Sequence, residues 1–125
     1  MTPSPLPHIR AASQALREAG AMLVAGTSAH VFQGVDGNVV YDLGDFLDDY
    51  AVHPAVRNDL GLLFLVELES DGPRRIEAVP LKLEYAYTRL ARGSEAEWIR
   101  VRFRRACREL GTEVLEEDGR IVARP

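Results

Sequence analysis

The stretch AMLVAGTSAHVFQGVDGNVVYDLGDF, residues 21–46, decides the fold. Its first six residues are almost all apolar, the pattern of a strand that is buried on both faces in a mostly parallel sheet. HVFQGV and NVVYDL follow, separated by Asp36-Gly37, and predict a tight β-hairpin. A strand buried on both faces needs sheet neighbours and covering helices. Because the chain before residue 21 has few candidates, we expect missing sequence or a partner chain to supply them.

Two helices flank the predicted strands. Leu6 to Ala19 repeats apolar residues at helical spacing, and Gly20 ends the pattern. The second helix opens at Ser94, where Glu97 three residues later predicts a capping box. Its apolar face contains Ile99, Phe103, Ala106, Cys107 and Leu110.

The second half of the chain predicts further strands. Residues 60–69 and 75–85 alternate apolar side chains around an SDGPR turn, and residues 112–125 predict a final hairpin that turns at Asp118-Gly119. Residues 44–59 have the composition of a loop. We therefore expect an α/β fold in a single domain, residues 1–125, with the first strand in one sheet and a mostly antiparallel second sheet.

Composition narrows the function classes. The 125 residues carry a formal net charge of −4, which gives no general attraction to nucleic acids or anionic membranes. No apolar run reaches the roughly 18 residues of a membrane span, and MTPSPLP lacks the features of a secretion signal. The single cysteine, Cys107, forms no internal disulfide and indicates a reducing compartment. We expect a cytoplasmic protein without nucleic-acid partners.

A set of short motifs follows the first helix: Gly20-Ala21, Gly26, His30, Gly34, Tyr41, Gly44-Asp45-Phe46 and Asp48-Asp49-Tyr50. Together they resemble the C-terminal part of the bacterial capsule and poly-γ-glutamate synthesis proteins called CapA, which are related to calcineurin-like metallophosphatases. The resemblance covers roughly residues 8 to 110, and residues 58–68 and 79–83 match strands of that family.

The resemblance implies a partial metallophosphatase-like two-sheet sandwich, forming the C-terminal portion of a larger CapA-like domain. It implies capsule or poly-γ-glutamate synthesis, a link to the cell envelope, and a metal-dependent phosphoesterase-like fold using Mn, Zn or Fe. His30 and Asp45 would be metal ligands. However, Thr27 stands where the family has the first histidine of Gly-His-x-x-His, and the N-terminal half with the remaining ligands is absent. We expect this chain alone to be inactive, with a degraded metal site or no metal at all.

Other polar residues have two interpretations each. Thr27 and Ser28 donate hydrogen bonds to an anion, or they satisfy turn backbone. Arg57 and Asn58 contact substrate, or Arg57 forms a salt bridge with the Asp48-Asp49 run. The cluster of Asp42, Asp45, Asp48 and Asp49 attracts a cation, or it is an exposed acidic loop in which Asp45 caps a turn.

Two further functions compete with the phosphoesterase-like interpretation. An exposed sheet edge would make the chain a non-enzymatic interaction module that pairs with a second copy or with a missing N-terminal half. The arginine-rich second helix, with Arg100, Arg104 and Arg108 at helical spacing, would bind nucleic acid or simply face solvent, and we favour a solvated face.

Overall fold

The computed structural model describes residues 2–47 and 52–125. These residues form a mixed α/β fold with two sheets and two helices, as the sequence predicts. In chain order the elements are α1 (Pro7–Glu18), β1 (Val24–Ala25), β2 (Val35–Asp36), β3 (Val39–Val40), β4 (Leu60–Glu69), β5 (Gly72–Glu84), β6 (Tyr87–Leu90), α2 (Gly93–Glu109), β7 (Leu115–Glu117) and β8 (Arg120–Ala123).

The first sheet is small and mixed. Its order is β1-β3-β2, with β1 parallel and β2 antiparallel to β3. The prediction that residues 21–26 form a strand buried on both faces is wrong for the described residues. Only Val24 and Ala25 are in β1, and Ala25 is exposed. The reason is that β1 lies at the sheet edge and pairs with a single described strand, β3.

The predicted hairpin is confirmed. Asp36 pairs with Val39, so that Gly37 and Asn38 form the two-residue connection, with Gly37 at φ +56°. The Asn38 side-chain amide donates to the carbonyl oxygens of Ala21 at 2.9 Å and Met22 at 3.1 Å. The turn of the hairpin therefore holds the residues that lead into β1.

The second sheet is antiparallel and has five strands. Its order is β4-β5-β8-β7, and β6 pairs with the C-terminal half of β5. The predicted strands at 60–69 and 75–85 and the final hairpin are confirmed. The sequence did not predict β6, because its turn contains Tyr85 and Ala86 without a glycine or asparagine, although Ala86 adopts φ +59°.

Helix α2 covers one face of this sheet. Ile99, Phe103 and Cys107 are fully buried, which confirms the predicted apolar face. On β4, Leu62 is buried whereas Leu63 and Leu65 on the other face are exposed. The predicted capping box is wrong. Arg92 is the N-cap residue without a side-chain cap, and Glu97 binds Arg100 instead.

The hairpin and the second sheet meet at α2. The Phe103 ring lies edge-on to Phe32 at 6.0 Å and to Phe64 at 5.8 Å. Gly34 packs directly on the helix, because a Cβ atom there would lie 2.6 Å from the Ala106 carbonyl oxygen. Aromatic contacts and a close backbone approach thus fix the residues after β1 against the larger core.

Helix α1 matches its predicted range, but its apolar side is not buried by the described residues. Ile9 is 39% exposed and Leu16 is 51% exposed, whereas Ser13 is the buried residue of the helix. The helix nevertheless touches β1 and is tied to the hairpin by an ion pair between Arg17 and Asp36 at 3.8 Å.

Candidate functional site

A short connection after β1 carries the predicted site residues 27–30. Ser28 adopts φ +88° and His30 adopts φ +63°, which non-glycine residues rarely do. Thr27 and Ser28 are exposed, and their hydroxyl oxygens lie 3.5 Å apart. Their role in binding an anion stays a prediction.

His30 and Asp45 form a pair across the site. The His30 Nδ1 atom lies 3.0 Å from Asp45 Oδ1 and 3.2 Å from Oδ2. An ionised carboxylate only accepts hydrogen bonds, so the imidazole Nδ1 donates. In a neutral imidazole that carries its proton on Nδ1, the lone pair is on Nε2. The structure therefore brings together the two residues that the resemblance matched as separate metal ligands.

A buried carboxylate that the sequence did not single out builds this geometry. Asp42 is 3% exposed, and its two oxygens accept from the backbone amides of Ala29 at 3.0 Å and Gly44 at 2.9 Å. One side chain therefore fixes the residue before His30 and the residue before Asp45. The expectation of an exposed acidic loop capped by Asp45 is wrong for Asp42, which is buried and caps the turn itself. Asp48 and Asp49 lie outside the described residues.

A second polar cluster lies at the start of β4. Arg57 donates two hydrogen bonds to Asp59, from Nε at 2.9 Å and from Nη2 at 2.8 Å, and Lys82 donates to the same carboxylate. Burial acts to raise the pKa of Asp59, but these hydrogen bonds and positive charges outweigh it and lower the pKa to about 2. Arg57 thus has a described partner in Asp59.

The remaining predicted contacts have structural partners as well. Asn58 is buried, and its Oδ1 accepts from the His53 backbone amide at 2.7 Å. The predicted salt bridge from Arg57 to Asp48-Asp49 falls outside the described residues. The substrate role of Arg57 and Asn58 stays a prediction.

The two polar clusters approach each other through Gly61. A Cβ atom on Gly61, two residues after Asp59, would lie 3.0 Å from the Asp45 carbonyl oxygen. Residue spacing alone does not predict this approach. It arises because the loop that contains Asp45 folds back over the beginning of β4.

The described residues do not form a metal site by themselves. In residues 2–47 and 52–125, no three His, Cys, Asp or Glu side chains converge as ligands. Protein zinc sites use three or four protein ligands, and His30 and Asp45 supply at most two. Further ligands from elsewhere would be needed to hold an ion.

Cys107 is a core residue, as its place on the apolar face of α2 predicts. It is fully buried, and burial raises the pKa of its thiol to about 11. Its Sγ atom accepts from the Val35 amide at 3.4 Å. A thiol in this environment is not a nucleophile near neutral pH.

The fold and this site define a two-sheet α/β protein with a His–Asp pair at the end of an edge strand. The chain is 31% identical, over 111 aligned residues, to proteins named "probable polyglutamine synthesis accessory protein" in two strains of Mycobacterium tuberculosis. The alignment covers 80% of this chain but only 29% of the length of these relatives. No protein-family model matches. The chain is a distant relative of part of these accessory proteins.

Neither helix within the described ranges has the length and apolar character to cross a bilayer.

Proposed function

We propose that this chain contributes one side of a metal-dependent, phosphoesterase-like site in a CapA-like accessory protein of polyglutamate or capsule synthesis, and that it is inactive by itself. The observation that carries the proposal is the contact of His30 Nδ1 with Asp45 at 3.0 Å. These two residues are 15 positions apart in the sequence, and each matches a family motif. One hydrogen bond joins them. The similarity to proteins named for polyglutamine synthesis supports the biological setting.

In this proposal His30 and Asp45 have different tasks. A histidine that ligates a metal usually donates its other ring N–H to a carboxylate or carbonyl, which fixes the ring and raises its basicity. With Nδ1 directed at Asp45, His30 would coordinate through Nε2, and Asp45 would orient the ring. Asp42 would contact neither the metal nor the His30 ring. It would position the pair by accepting hydrogen bonds from the backbone amides of Ala29 and Gly44. The bound ion would supply Lewis-acid activation of a phosphoryl oxygen.

Metal titration followed by NMR tests the His30 assignment. Zn²⁺ or Mn²⁺ added to the chain should perturb the His30 ring resonances at a single weak site, without turnover of a generic phosphodiester. His30→Ala should abolish this response, and Asp45→Asn should weaken it about 10- to 100-fold, the usual effect of losing an orienting carboxylate.

His8→Ala is the matched control, because His8 is an exposed histidine on α1 and should leave the titration unchanged. If metal addition does not perturb the His30 resonances, or if His30→Ala leaves the metal response unchanged, the metal role of His30 is contradicted. Tight binding of two ions with turnover that His30→Ala abolishes would contradict the inactivity of the isolated chain.

A second candidate function, an interaction module, is favoured by the edge of the first sheet. Strand β1 has one described neighbour, and α1 beside it exposes Ile9 and Leu16. An unpaired strand edge next to apolar side chains is suited to pairing with another polypeptide. The partner would add a strand to β1 and cover the apolar side of α1.

Light scattering over a range of concentrations tests whether a second copy is that partner. Association should be weakened by a proline at Ala25, which removes a backbone donor of β1, and by Leu16→Glu. A monomer at every concentration, with unchanged amide resonances in β1 and α1, would rule out self-pairing as the function of this edge.

A further inference from the structure

A groove of about 530 Å³ lies along α2, and neither His30 nor Asp45 is among its lining residues. Trp98, Val101 and Arg102 of α2 form one wall, and the opposite wall contains Pro3 and Val56. Small-molecule and peptide sites commonly have volumes of about 300–1,000 Å³. The groove is therefore large enough for a short peptide segment, and most of its exposed lining is apolar.

Arg102 is the unusual residue of this groove. Its guanidinium lies over the Trp98 ring at 5.1 Å and near the Phe32 ring at 5.5 Å, and it donates to the Val56 carbonyl oxygen at 2.6 Å. A guanidinium has five N–H donors, so most remain for other acceptors. Desolvation lowers the pKa of Arg102, as expected for a charge that is partly withdrawn from water.

Three neighbouring arginines of α2 have carboxylate partners, and the fourth, Arg108, is exposed. Arg100 pairs with Glu97, Arg104 with Glu116, and Arg105 with Glu109. Within the described part of the chain, Arg102 has no carboxylate partner. The two acidic residues on the groove wall, Glu97 and Glu109, are each already bound to an arginine of the helix.

We propose that the groove binds an extended acidic peptide segment, with one carboxylate on Arg102 and apolar atoms on Trp98 and Val101. A partly desolvated arginine without a carboxylate partner is complementary to a carboxylate, and charge-assisted Arg–carboxylate bonds are among the stronger hydrogen bonds in proteins. The contacts of Arg102 with the Trp98 ring and with the Val56 carbonyl oxygen hold the guanidinium on the groove wall. The apolar walls favour a ligand that brings methylene or aliphatic groups beside the acid.

Intrinsic fluorescence provides a direct assay, because Trp98 is the single tryptophan of the sequence and lies in the groove. The probes are the peptide acetyl-Leu-Glu-Leu amide and its neutral isostere acetyl-Leu-Gln-Leu amide. The acidic peptide should change the fluorescence in a saturable way, and the glutamine peptide should bind at least about tenfold more weakly.

Variants separate recognition from structural roles. Arg102→Gln should weaken binding of the acidic peptide at least about tenfold, whereas Arg108→Gln should change it less than about twofold, because Arg108 is an exposed arginine of the same helix that is not among the groove's lining residues. Since Arg102 also holds Val56, thermal unfolding must show that Arg102→Gln still folds. Val101→Glu adds a negative charge at a half-exposed wall position without touching the core, and it should weaken binding to a similar degree.

Three results would overturn the inference. The first is equal binding of the acidic and neutral peptides, or binding of neither. The second is an affinity that Arg102→Gln and Val101→Glu leave unchanged in folded protein. The third is acetate binding as tightly as the peptide, because the apolar walls would then contribute nothing. All three readouts are independent of His30 and of metal.

Discussion

The two sheets of this protein are stabilised in different ways. In the larger sheet a strand of 10 residues pairs with one of 13, and α2 covers one face. In the smaller sheet every strand has two residues, and the loops between them are held by the side chains of Asn38 and Asp42. The larger sheet owes its stability to apolar burial and a long hydrogen-bond ladder. The smaller sheet combines a few polar contacts with the burial of Phe32, Val35 and Val40, which belong to the same hydrophobic core as the larger sheet.

This difference explains where the candidate sites lie. A segment with little burial of its own can adopt positive φ angles and expose polar groups, as residues 27–30 do. The cost is that its geometry needs support from neighbours. Among the described residues that support includes the buried carboxylate of Asp42 and the buried side chains of Val31 and Phe32.

The largest expected change in the free energy of unfolding tests the packing contact between the two sheets at Phe103. Phe103→Ala removes a fully buried ring that contacts both Phe32 and Phe64, and should lower the free energy of unfolding by about 3–5 kcal/mol. Urea denaturation measures this change. Val101→Ala, on the exposed side of the same helix, serves as the control and should cost less than about 1 kcal/mol. A loss below about 1 kcal/mol for Phe103→Ala would show that this ring does not hold the two regions together.

The next largest change in stability tests the hydrogen bonds that Asp42 accepts beside the smaller sheet. Asp42→Ala leaves the amides of Ala29 and Gly44 without their acceptor, and should cost about 2–3 kcal/mol. Hydrogen exchange should speed up in residues 26–46 before it does in β4 and β5. Asp71→Ala, in the exposed turn between those strands, is the matched control. Uniform exchange across both sheets would show that they unfold as one unit.

One part of the pH dependence of stability should arise at the start of the larger sheet, from Asp59. The folded pKa of Asp59 is about 2, below the usual value of about 3.9, so its charge stabilises the fold above pH 4. This contribution, on the order of 2 kcal/mol, is lost as the pH falls from about 4 to about 2. The stability difference between wild type and Asp59→Asn should shrink over that interval. A constant difference for Asp59→Asn would contradict the assignment.

The smallest effect concerns the uncovered side of α1. Leu16→Gln replaces a residue that is 51% exposed, and should change stability by less than about 0.5 kcal/mol in dilute protein. Thermal unfolding at two concentrations measures it. A loss above about 1.5 kcal/mol that grows with concentration would mean that a second copy covers this helix.

The sequence predicted the larger sheet well because its signals are local and repeated. Alternating apolar residues at 60–69 and 75–85 and the turn Asp118-Gly119 each determine their own structure. Strand β6 was missed because Ala86 supplies the turn conformation without any residue that signals it. The capping box at Ser94 was wrong because the helix begins at Gly93, one residue before the expected cap, which places Ser94 inside the first turn.

For the candidate site, the sequence alone determined which residue types stand at the end of β1 and which short motifs they resemble. Only the tertiary structure decided that His30 meets Asp45, that Asp42 rather than Asp45 is buried, and that Asp59 is the partner of Arg57. It also decided that only Val24 and Ala25 of residues 21–26 form a strand, and that this strand lies at a sheet edge. Local periodicity reports how apolar a segment is, but burial depends on which neighbours the rest of the fold places around it, and hydrogen-bond partners depend on how loops return across the sheet.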